Sequence, residues 1–177
     1  MDGWALGMEY ASTYGRVRWD VFGGGPSLVL VHGTPFSSYV WRKVVPALAE
    51  TMRVYAFDLP GYGSSEKREY QDVSLAAQGR VLSGLIDHLG LDKPAVVGHD
   101  FGGAITLRAH LLEGCDFRAI ALIDAVALSP WGSPFYHLVQ DHVGVLRQMP
   151  AYMHEAIVAA YVRDATYVPM DDETLGP

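Results

Sequence analysis

The stretch that most restricts how this chain can fold is Val96-Val97-Gly98-His99-Asp100-Phe101-Gly102-Gly103. An apolar run at residues 94–97 leads into it, and a helix-compatible run at residues 104–112 leads out. A strand that turns directly into a helix leaves almost no room at the corner. Side chains at Gly98, Gly102 or Gly103 would collide with the backbone that pushes residue 100 outward. The pattern calls for a strand, a tight turn presenting one side chain, and a helix.

The rest of the chain supplies a matching framework. Ser27–Val31 reads Ser-Leu-Val-Leu-Val, a continuous apolar run suited to a strand covered on both faces. Residues 9–13 and 16–22 read as two strands joined near Gly15, with a Gly-Gly-Gly-Pro turn at 23–26. Arg53–Phe57 and Ala119–Ile123 are two more strands. Trp41, Val44, Val45, Leu48 and Ala49 recur at helical spacing. Ser74 is an N-cap for a helix that aligns Leu75, Leu82, Leu85, Ile86 and Leu89 and stops at Gly90. Alternating strands and helices predict an α/β fold: a doubly wound, mainly parallel sheet of six strands with ligands at the strands' carboxyl ends. The rhythm changes after Asp124. Residues 125–177 are rich in proline and carry helix-like runs near 136–147 and 152–163, so the chain divides into 1–124 and 125–177.

Composition narrows the class. The chain has 177 residues, half of them apolar, which suits one domain with a sizeable core. A net charge of −7 without a basic cluster argues against nucleic acid as a partner. The lone cysteine, Cys115, excludes an internal disulfide framework and fits a reducing compartment as a small hydrophobe. No signal-peptide pattern opens the sequence, and no apolar run reaches membrane-spanning length. A cytoplasmic protein acting on a small molecule, away from membranes, is the expectation.

The Gly-x-Asp-x-Gly-Gly turn resembles the nucleophile elbow of the α/β-hydrolase superfamily. Aspartate at its centre is similar to the branch holding epoxide hydrolases and haloalkane or haloacid dehalogenases. An aspartate is already ionised at neutral pH, its ordinary pKa being about 3.9, and suits displacement at saturated carbon. The resulting alkyl ester has a carbonyl that activated water can then attack. The resemblance extends to His32-Gly33-Thr34-Pro35 and to Asp58-Leu59-Pro60-Gly61-Tyr62-Gly63-Ser64-Ser65. It implies an oxyanion hole from the N–H groups of Thr34 and Phe101, a cis Thr34–Pro35 peptide, and a structural rather than catalytic His32. Asp58 is read as a loop residue bonding nearby amides. The resemblance also implies that 125–177 begins a helical cap. Phe36, Trp41 and Tyr136 are candidate substrate contacts.

Asp124, just past the Ala119–Ile123 strand, is either the acid that orients a catalytic histidine, as in some relatives, or a turn or N-cap residue. The histidine itself, which the family carries near its C-terminus, has no counterpart here: His137, His142 and His154 fall in the expected cap. A complementary C-terminal segment completing the sheet and carrying that histidine is therefore expected. Phe101 has no side-chain N–H to grip a halide, and Thr34 stands where haloalkane dehalogenases usually carry an Asn or Trp donor. Arginines that would hold a haloacid carboxylate are missing after the nucleophile. Epoxide hydrolases accept Phe beside the aspartate and use cap tyrosines as proton donors, a role for which Tyr152 is the first candidate and Tyr136 and Tyr161 are rivals. The expectation is an epoxide hydrolase needing neither metal nor organic cofactor. A dehalogenase is the alternative, and a non-catalytic binding protein or inactive fragment is the alternative of another class.

Overall fold

The computed structural model describes residues 4–164 and Tyr167. Six strands form one sheet: β1 (Met8–Ser12), β2 (Gly15–Phe22), β3 (Ser27–Val31), β4 (Arg53–Phe57), β5 (Ala95–His99) and β6 (Ala119–Ile123). Their order across the sheet is β1-β2-β4-β3-β5-β6. The first pairings, β1 with β2 and β2 with β4, are antiparallel. From β4 onward every pairing is parallel. This is the expected α/β class, and six strands are where the sequence puts them.

Period-two side chains divide the core. On β3, Val29 and Val31 point to one face while Leu28 and Leu30 point to the other; on β4, Tyr55 and Phe57 oppose Val54. The first face is covered by α2 (Leu75–His88) and α3 (Phe101–Leu112), which bring Val81, Leu82, Leu85, Ile86, Ile105 and Ala109. The second is covered by a 3₁₀ turn (Ser38–Trp41) and α1 (Val45–Leu48), which bring Trp41 and Val45. The Ser74 cap forms as read, its Oγ accepting from the Ala77 N–H at 3.3 Å; Ser133, not singled out in the sequence, caps the helix that follows it, its Oγ accepting from the Tyr136 N–H at 3.1 Å.

The strand order has one switch point. From β3 the chain steps outward to β4 on one side, then returns to place β5 on the other. The loops leaving the carboxyl ends of β3 and β5 consequently diverge, opening a crevice between them. The parallel register sets Val31 beside Gly98, so the residues just past each strand face one another across that crevice.

The chain forms two compact units, Met1–Ser129 and Pro130–Pro177. Residues 125–129 group with the sheet: Ala125 lies against Gly103, and the Val126 N–H bonds to the Asp100 carbonyl at 3.3 Å. The second unit holds α4 (Pro134–Asp141), α5 (Val143–Leu146) and α6 (Ala151–Asp164), with Phe135 packed on Tyr161 at 5.1 Å between ring centres. Among the described residues no helix is long and apolar enough to cross a membrane. At the free edge of the sheet, β6 leaves Leu122 and Ile123 exposed, and the last turn of α3 exposes Leu111 and Leu112.

Leu85 is 1 % exposed at the centre of the α2–sheet interface. Leu85→Ala is expected to cost about 2–5 kcal/mol of unfolding free energy, read from urea denaturation by circular dichroism.

Candidate functional site

Asp100 sits at the apex between β5 and α3 with φ 53° and ψ −122°, backbone angles that a non-glycine residue adopts only when its surroundings enforce them. Close packing does the enforcing. A Cβ on Gly98 would lie 2.6 Å from the Gly102 carbonyl oxygen and 2.7 Å from the Gly103 Cα. One on Gly102 would strike the carbonyl oxygens of Val31 and His32. The Asp100 N–H donates to the Ile123 carbonyl at 3.0 Å, tying the apex to the end of β6.

The carboxylate is held from across the crevice. Asp100 Oδ1 accepts the Thr34 backbone N–H at 2.8 Å and the Thr34 hydroxyl at 3.3 Å. Among the described residues nothing donates to Oδ2. Of the two amides expected to form an oxyanion hole, that of Thr34 is thus hydrogen-bonded to the carboxylate. The Phe101 amide opens α3 and makes no hydrogen bond to the carboxylate. Asp100 does lie at the positive end of the α3 dipole, which favours a negative charge there. Thr34–Pro35 is a cis peptide.

Behind this pair stands a set of loop anchors. His32 is fully buried; its Nε2 accepts the Leu59 N–H at 2.9 Å, so the ring proton is on Nδ1 and is donated to the Gly33 carbonyl at 2.8 Å. Burial pushes the imidazole pKa below its ordinary value, against the smaller opposing pull of the Gly33 carbonyl and of Asp58. His32 is thus a neutral clip joining the loops after β3 and β4. Asp58, also buried, accepts the Ser38 N–H at 2.8 Å, the Ser64 N–H at 2.7 Å and the Ser64 hydroxyl at 2.8 Å. Both residues have the structural roles read from the sequence.

Two positions with no individual role in the sequence reading matter here. Gly33 lies under the Asp100 side chain, and any Cβ on it would collide with that carboxylate. Ser38 is buried, giving its N–H to Asp58 while its hydroxyl accepts the Trp4 indole N–H at 3.1 Å. Gly33 had a signal, a glycine immediately after a buried strand; Ser38 had none, because its partners lie far away in sequence.

The remaining candidates fall in different settings. Trp41 is only 6 % exposed, packed in the second core cluster with its edge toward His99 at 6.2 Å. It is a wall behind the residue preceding Asp100, not a surface open to a ligand, because the 3₁₀ turn folds it inward against β3 and β4. Phe36 is partly exposed beside the cis proline. Asp124 has φ 46°, is exposed, and among the described residues accepts no hydrogen bond from another residue; no helix starts there for it to cap. No described histidine is hydrogen-bonded to Asp100 or Asp124. In the second unit, the Tyr136 ring lies tilted against Trp131 at 5.0 Å, Tyr161 packs on Phe135, and Tyr152 stands exposed on α6. Cys115 is buried, with its thiol pKa raised chiefly by that burial.

A six-stranded sheet with a strained acidic apex at its switch point defines an α/β hydrolase, and the profile of the α/β hydrolase fold matches residues 26–159. The chain belongs to that family. It is 46 % identical over 92 residues to a soluble epoxide hydrolase of Corynebacterium sp. (strain C12), covering 51 % of this chain and 31 % of the relative. It is 32 % identical over 113 residues to haloalkane dehalogenase 2 of Mycobacterium bovis, covering 64 % of this chain and 40 % of the relative. The crystal structure of an α/β hydrolase fold protein from Burkholderia ambifaria superposes with a TM-score of 0.93 at 42 % identity, over 97 % of this chain and 63 % of that one. The chain thus spans about a third of that epoxide hydrolase and under two thirds of that solved structure.

His32 carries a pH signature. With its folded pKa depressed, the unfolded chain binds the extra proton, so its contribution is intact above about pH 6.5 and declines as pH falls toward the folded value, by about 1.4 kcal/mol per pH unit at most. Urea melts between pH 7.5 and 5.5 are expected to show this loss, and His32→Gln is expected to flatten it at lower overall stability.

Proposed function

We propose that this protein hydrolyses epoxides to diols through an ester on Asp100. The observation that carries the reading is the asymmetry of the carboxylate: Oδ1 is held by Thr34 while Oδ2 is without a donor. In the first step Oδ2 bonds to an epoxide carbon as the ring C–O bond breaks. The electron pair goes to the departing oxygen, which takes a proton from an acid, for which Tyr152 is the proposed donor. In the second step water, losing a proton to an imidazole, attacks the ester carbonyl. Charge develops on Oδ1 against the Thr34 N–H and the dipole end of α3 at Phe101. The ester C–O bond then breaks, the diol oxygen takes the proton held by the imidazole, and the second proton of the water returns to the acid, leaving the water oxygen in the Asp100 carboxylate.

We assign Asp124 as the acid that orients the imidazole, supported by its position at the carboxyl end of β6, the strand beside β5. The imidazole we assign to a further segment of the same fold that lies along β6, supported by the exposed Leu122 and Ile123 on that edge. Phe36 and Tyr136 are the proposed substrate contacts, and Trp41 supports the site indirectly, from the core beside His99. The chemistry asks for no metal or organic cofactor. A small-molecule substrate and a lone buried thiol fit a cytoplasmic protein without nucleic-acid or membrane partners.

A carbon–halogen bond is the second reading, supported by likeness to a named haloalkane dehalogenase. Phe101 beside the nucleophile favours the epoxide, having no side-chain N–H to receive a leaving halide.

Incubation with styrene oxide is expected to add the probe's mass to the Asp100 peptide in quenched samples, and to yield diol without halide chemistry where the segment carrying the imidazole is present. Asp100→Asn is expected to abolish both. Bromide release from 1-bromobutane with no epoxide turnover would reverse the choice of substrate, and an unmodified Asp100 with either probe would leave only a binding role. Tyr152→Phe is expected to slow ester formation from the epoxide by about 10²-fold, with little effect on reaction with an alkyl bromide.

A further inference from the structure

We propose that the side-chain hydroxyl of Thr34 is a catalytic group, a second oxyanion donor that supplements the Thr34 amide; the proposal rests on the ester mechanism above. Both hydrogen bonds to Asp100 Oδ1 come from this one residue, the amide at 2.8 Å and Oγ1 at 3.3 Å. The Phe101 amide, the other expected donor, makes none. Thr34 Oγ1 has no other hydrogen-bond partner among the described residues, so its proton is free to point at the carboxylate.

Position explains why the hydroxyl reaches. Gly33 keeps the space under the Asp100 carboxylate empty, and the parallel register of β3 and β5 brings residue 34 beside it. A side chain with a hydroxyl on its β carbon can aim at the same oxygen as its own amide.

The consequence is a division of labour between the carboxylate oxygens. Oδ1 is pinned, so Oδ2 is the atom that bonds to the substrate carbon. Once the ester exists, Oδ1 is its carbonyl oxygen. When water attacks the carbonyl carbon and gives its proton to the imidazole base, the carbonyl electron pair moves onto Oδ1. The pair returns to carbon as the ester C–O bond breaks. The hydroxyl therefore bears mainly on the second step, where charge on Oδ1 grows, and little on the first, where charge leaves the carboxylate.

The test compares Thr34→Val, Thr34→Ser and Thr34→Ala in the full chain, with styrene oxide as probe and the alkylated Asp100 peptide followed by quenched mass spectrometry. Ester decay is driven by water or, where the wild-type ester persists, by added hydroxylamine, which attacks the same carbonyl and puts the same charge on Oδ1. Thr34→Val and Thr34→Ala are expected to form ester within about threefold of the wild-type rate but to lose it about tenfold more slowly, so that ester accumulates. Thr34→Ser is expected to behave as wild type. Valine decaying as fast as threonine overturns the proposal. So does an order in which valine is nearest to wild type and serine furthest, the signature of a packing role. If the valine variant does not fold, the serine and alanine variants decide the point alone: equal decay overturns it. A wild-type chain that forms no ester at all sinks the mechanism itself, and this proposal with it. Ester formed normally in wild type and lost equally fast in all three variants sinks only the role of the hydroxyl.

Discussion

A left-handed, non-glycine backbone at Asp100 is tolerable only if neighbours hold it on every side, and much of the architecture can be traced to that requirement. Gly98, Gly102 and Gly103 let α3 and the carbonyls at the end of β3 close on the turn. The Asp100 N–H and carbonyl are bonded to Ile123 and Val126, so β6 and the loop beyond it are part of the clamp. Residues 125–129 belong with the sheet for this reason. The strain is local, and the cooperative packing of α3 against β5 and β3 offsets it.

The same crevice that admits the turn also sets its chemistry. Because the chain winds outward in opposite directions from β3, the β3 and β5 loops face each other with nothing between them. Thr34 can therefore reach the Asp100 carboxylate across 66 positions of sequence. His32 and Asp58 brace the arrangement from behind. Each is buried and hydrogen-bonded to groups of the surrounding loops, His32 through both ring nitrogens and Asp58 through both carboxylate oxygens. Both side chains serve the loops around the crevice, whereas the Asp100 carboxylate keeps one oxygen without a donor among the described residues.

Most of the fold was legible because its signals are local. Short apolar runs mark β3, β4 and β5, a serine cap marks the start of α2, and the glycine spacing around residue 100 forces a corner. The family follows from the corner and from the His32 and Asp58 loops. Several features escaped this kind of reading. Helical spacing at Trp41, Val44 and Val45 gave no hint that Trp41 turns into the core and not toward a ligand. The burial of Ser38 and its link to Trp4 and Asp58 had no local mark either.

Sequence alone determined that an aspartate occupies a strand-to-helix corner of an α/β sheet, since steric exclusion at glycine and period-two burial act between near neighbours. It also determined the residues beside that corner, a phenylalanine directly after the aspartate and a threonine in the His-Gly-Thr-Pro segment. Only the tertiary structure decided which carboxylate oxygen is held and which is without a donor. It also decided that both hydrogen bonds come from Thr34, and that the Phe101 amide stands apart from them. Those outcomes depend on the register of β3 against β5 and on the space under Gly33, and hydrogen bonds made across a sheet leave no trace in the order of residues along the chain.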